Sequence, residues 1–68
     1  MGIGDKDGEG VTLSNLAWLR ETQGRYTEAE LLYRQAIFTL KEILPVDHRH
    51  IVTVRANYDR VKRILEER

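Results

Sequence analysis

The chain has 68 residues, 11 basic and 11 acidic side chains, and no cysteine. A neutral chain of this length is one domain with a modest core. It lacks the basic footprint of a general nucleic-acid binder, and without Cys it has neither disulfides nor thiolate metal sites. Its apolar runs span only a few residues, which predicts no membrane span, and the absence of Cys fits a reducing, cytoplasmic setting.

Residues 1–10 (MGIGDKDGEG) combine four glycines with three acids. Such a stretch cannot bury enough surface to offset its ordering entropy, so it is expected to be a disordered tail, with the helical domain occupying 11–68. The first helix is predicted over 12–23. Leu13, Leu16, Ala17 and Leu19 fall on or beside one face, with Thr12 as the N-cap and Gly24 just past the end. A second helix is predicted over 27–44. Thr27 and Glu30 have capping-box spacing, and Ala29, Leu32, Tyr33, Ala36, Ile37, Leu40 and Ile43 form an apolar stripe that Pro45 ends. A third helix is predicted over 48–66, with Asp47 as N-cap and Ile51, Val54, Tyr58, Val61 and Leu65 at alternating steps of three and four. No strand alternation is present. The fold class is all-α.

Displacing the sequence by 42 residues places Asn15 on Asn57, Leu16 on Tyr58, Leu19 on Val61 and Arg20 on Lys62. The third helix therefore reads as a second copy of the first, giving one and a half repeats. With Ala17, Ala29 and Ala36 small enough for close helix crossings, Gly24 at the turn, and large packing residues at Leu13, Leu16, Tyr26 and Tyr33, LSNLAWLRETQGRYTEAELLYRQAI resembles a tetratricopeptide repeat of the kinesin-light-chain type. The loop LPVDHRH is similar to that family's inter-repeat connection. The resemblance implies an antiparallel helix hairpin plus a C-terminal capping helix, of the right-handed superhelix type. It also implies a non-enzymatic protein-protein interaction module that binds a peptide or an adjacent repeat. Two departures stand out: Arg20 where a large apolar residue is usual, and Glu66 where a second turn glycine would stand.

The chemistry-bearing residues argue the same way. Asp47, His48 and His50 have no further strong ligand nearby in sequence, so they read as a helix start and not a metal site. Ser14 has no base at helical spacing, no glycine-rich phosphate loop is present, and no enzymatic activity or cofactor is expected. The charged residues read as solvated pairs: Glu21–Arg25, Glu30–Arg34 and Asp59–Arg63. The predicted peptide-binding face carries Asn15, Trp18, Glu21, Asn57 and Arg60. On it the resemblance implies asparagines bonded to the ligand backbone, and Arg60 favours an acidic partner. The alternatives are that Trp18 covers the junction with the third helix and that the asparagines bond the neighbouring repeat. Leu31 and Phe38 form an apolar strip off the main stripe of the second helix, unless Ile3 folds over them. Together with Val61 they are expected to drive self-association as a symmetric dimer. The other alternative is a piece of a larger repeat protein whose catalytic domain lies elsewhere.

Overall fold

The computed structural model describes residues 5–67, with side-chain environments from Gly8 onward. Three helices occupy them: α1 Asp5–Thr22, α2 Tyr26–Lys41 and α3 Arg49–Glu66, with no strand among the described residues. Gly10 of α1 packs on Leu40 of α2, while Arg20 lies 3.3 Å from Glu28 at the other end, so α1 and α2 run antiparallel. α3 returns antiparallel along α2 and therefore runs in the same direction as α1.

Gly24 makes the first reversal. Its φ is +80°, a conformation that favours glycine. The Arg25 N–H donates to the Arg20 carbonyl at 2.9 Å and the Gly24 N–H to the Glu21 carbonyl at 3.0 Å, the paired bonds of a Schellman ending. The turn is so tight that α2 begins at Tyr26, with Arg25 as N-cap and no side-chain cap bond. Thr27 thus lies inside the helix, and the expected capping box with Glu30 does not form.

The other expected boundaries are corrected in the same way. α1 begins at Asp5, so Thr12 is internal and residues 5–10 of the expected tail are helical; residues 1–4, including Ile3, lie outside the described residues. The reason is packing. A Cβ built on Gly10 would stand 2.5 Å from Leu40 Cγ and Cδ2, so only glycine lets this part of α1 lie flat on α2. α2 ends at Lys41 and not at 44, and the turn closes with the Leu44 N–H bonded to the Leu40 carbonyl at 2.8 Å. His48, not Asp47, caps α3: its Nδ1 accepts from the His50 N–H at 3.1 Å.

The core is where the three helices meet. Ala17, Ala29, Tyr33, Ala36, Leu40, Ile51, Val54 and Val61 are buried, with Leu13, Tyr26, Leu32, Ile37, Leu44, Tyr58 and Leu65 packed around them. The small residues sit at the α1–α2 contact, as close helix crossing requires. Val61 is completely covered within the chain, which removes it from the expected self-association surface. The rest of the α3 stripe, Ile51, Val54, Tyr58 and Leu65, also belongs to or packs against this core. No helix among the described residues is long and apolar enough to cross a membrane.

Candidate functional site

Because α1 and α3 run side by side while each packs chiefly on α2, a groove lies between them. On α1, Val11, Asn15 and Trp18 recur at steps of three and four, and Glu21 follows one turn further on. The expected binding residues are thereby split between two parts of the groove.

At the end nearest the starts of both helices is a cleft of about 530 Å³. Val11, Ser14 and Asn15 line it from α1, and Arg49, His50 and Thr53 from α3, over a floor that includes Leu40 and Val54. The rings of His48 and His50 stack at 5.1 Å beside it. Among the described residues, no carboxylate lines this cleft and Arg49 has no ionic partner. Asn15 is exposed at its wall. Trp18, one turn further along, is 57 % exposed and does not cover the junction with α3.

At the other end the groove is closed by a clamp. Arg60 Nε donates to Glu21 Oε2 at 2.9 Å, Arg60 Nη2 to Glu21 Oε1 at 2.8 Å, and Arg60 Nη1 to Asn57 Oδ1 at 3.0 Å. The Tyr33 hydroxyl, rising from α2, donates to Glu21 Oε1 at 3.0 Å. One carboxylate thus ties all three helices together. The Arg60 hydrogen bond holds the Glu21 carboxyl below its ordinary 4.5, with partial burial pushing the other way. Tyr33 is pushed up to about 12, first by burial and then by its bond to the Glu21 carboxylate.

Three of the five residues expected to hold a ligand are therefore engaged with one another. Arg60 is not a free cation for an acidic partner, and the Asn57 carbonyl oxygen is taken. Glu21 bonds Arg60 and not Arg25, which instead lies 3.7 Å from Glu28. The Glu30–Arg34 pair is present at 3.2 Å, and no Asp59–Arg63 pair occurs among the described residues. They contain no cluster of metal-ligating side chains.

Sequence reasoning missed Ser14, Arg49 and Thr53. It aligned repeat-equivalent positions 42 apart, whereas the residues that touch across the groove, Glu21 and Arg60, lie 39 apart. Adding the lateral offset of neighbouring helices to the repeat length would have placed Ser14 opposite Thr53. Away from the groove, Leu31 is 46 % and Phe38 is 66 % exposed on the outward side of α2.

No family model, no curated protein and no solved structure matches the chain.

Proposed function

We propose that the chain is a tetratricopeptide-type interaction module without catalytic activity of its own, working in the cytoplasm and holding an extended peptide in the groove between α1 and α3. The observation that carries this reading is the cleft at the start of that groove. It offers hydroxyl and amide groups (Ser14, Asn15, Thr53) that suit a peptide backbone, next to the exposed indole of Trp18. Arg49, which has no ionic partner among the described residues, favours an acidic ligand over a basic one. The clamp of Glu21, Asn57 and Arg60 serves by fixing the distance between the groove walls.

Trp18 is the chain's single tryptophan, so the site carries its own reporter. Tryptophan-free peptides selected from a random library should change its emission on binding. Asn15→Ala should weaken binding severalfold, and Trp18→Ala by about 30-fold, the loss typical of an aromatic anchor. A selected peptide that binds without altering Trp18 emission, and equally well to both variants, would place the site elsewhere.

A further inference from the structure

We propose that the groove between α2 and α3 is a second binding site, taking a short extended segment of another protein that carries a carboxylate beside an aliphatic side chain. This groove lies on another flank of α3 from the cleft described above and shares no lining residue with it. The proposal therefore does not rest on the peptide groove between α1 and α3.

The α2–α3 groove has a volume of about 350 Å³, which suits a few side chains and not a docked helix. Its base is apolar, with Ile37 from α2 and the buried Ile51 from α3, and Val46 stands exposed at one end. Lys41 lines the α2 wall and Arg55 the α3 wall. Both are exposed, and neither has an ionic partner among the described residues. Lys62 Nζ stands 5.9 Å from the centre of the Tyr58 ring, which also lines the groove, and adds positive charge beside it. Since α2 and α3 are antiparallel, Arg34 and Asp59 lie together at the end away from Val46. Arg34 is already held by Glu30 at 3.2 Å, so Asp59 sets the charge at that end.

This layout selects a ligand class. A carboxylate between Lys41 and Arg55 meets two unneutralised cations in a recess, where an ion pair is screened less than on open surface. The aliphatic neighbour of that carboxylate gains apolar contact with Ile37 and Val46. Asp59 accepts from backbone N–H groups of an extended segment but repels a run of phosphates, which disfavours nucleic acid and an anionic lipid surface.

The test uses the full chain, isotope-labelled, and short terminally blocked peptides in which leucine alternates with glutamate, glutamine or lysine. The leucine–glutamate peptide should shift the backbone amide signals of Ile37, Val46 and Arg55, and the other two peptides should leave them in place. Lys41→Gln and Arg55→Gln should each weaken that binding about twofold to fivefold with unchanged helicity, the loss of one exposed ionic contact. Arg55→Glu should abolish the shifts. Asn15→Ala, in the other groove, should leave them unchanged, so the two sites fail separately. The proposal is overturned if the leucine–glutamate peptide moves none of these signals or only those of Ser14, Arg49 and Thr53. It is equally overturned if the leucine–lysine peptide acts as strongly, or if binding survives Arg55→Glu. Displacement of the peptide by a single-stranded oligonucleotide or by phosphatidylserine vesicles would identify a phosphate site and overturn it as well.

Discussion

Gly8 and Gly10 stand two residues apart in α1 and are expected to answer the same substitution in opposite directions. Nothing lies within 4 Å of a Cβ placed on Gly8, whereas one on Gly10 meets the buried side chain of Leu40 at 2.5 Å. Replacing glycine by alanine inside a helix contributes up to about 1 kcal/mol of stability through backbone entropy. Overpacking a filled core costs about 1–3 kcal/mol. Gly8→Ala is thus expected to stabilise by a few tenths of a kcal/mol or more, and Gly10→Ala to lose about 1 kcal/mol net. Urea denaturation of the two variants checks both signs, and a Gly10→Ala chain as stable as Gly8→Ala would show that Leu40 yields freely. Gly24 was legible in the sequence because it follows a periodic stretch and precedes a fresh one. Gly10 was not, since among four glycines and three acids nothing marks one glycine as lying against a neighbouring helix.

At the scale of the element, three helices and both reversals could be read from apolar spacing, Gly24 and Pro45. The caps and the start of α1 could not, because they depend on geometry that side-chain type does not fix. A Schellman turn running straight into α2 leaves no room for a Thr27 cap, and His48 reaches the His50 amide before Asp47 can serve. The binding face was half legible: helical spacing placed Asn15, Trp18 and Glu21 on one side of α1, but nothing announced that Glu21 would claim Arg60. That clamp makes the docking of α3 depend on pH. Glu21's carboxyl is lowered in the folded chain, so its contribution is present above about 4.5 and is lost as pH falls through its folded value. Tyr33 is raised, so its contribution is present below about 10 and fades as pH rises towards 12. Glu21→Gln should therefore be less stable than wild type at pH 7, with the gap narrowing as pH drops below 4.5. Denaturation midpoints at pH 7, 5 and 3.5 measure it; a gap that stays constant would mean the carboxylate charge contributes nothing to holding α3.

For the whole molecule the decisive question is what α3 does for the hairpin. Under the 42-residue displacement Leu13 and Ala17, which pack α1 on α2, correspond to Arg55 and Asp59, both exposed on α3. Charged residues thus stand on α3 where apolar ones stand on α1, while the inner face of α3 completes the core. That inner face buries Ile51, Val54 and Val61, each contributing about 1.5–3 kcal/mol. Their sum is about 5–9 kcal/mol, against a total of about 5–15 kcal/mol for ordinary small domains, and so short a chain belongs at the lower end. A chain ending at residue 46 would also leave Ile37 and the far side of Tyr33 and Leu40 in water, and would lose the Arg60 partner of Glu21. It is therefore expected to be largely unfolded at 25 °C, with weak far-ultraviolet helix signal and no cooperative melt. Val61→Lys in the full chain, which forces a charge into the same seat, should give a similar loss without any truncation. If the shortened chain kept its helices and melted in one sharp step, α1 and α2 would be a self-sufficient pair and α3 only a lid on the groove.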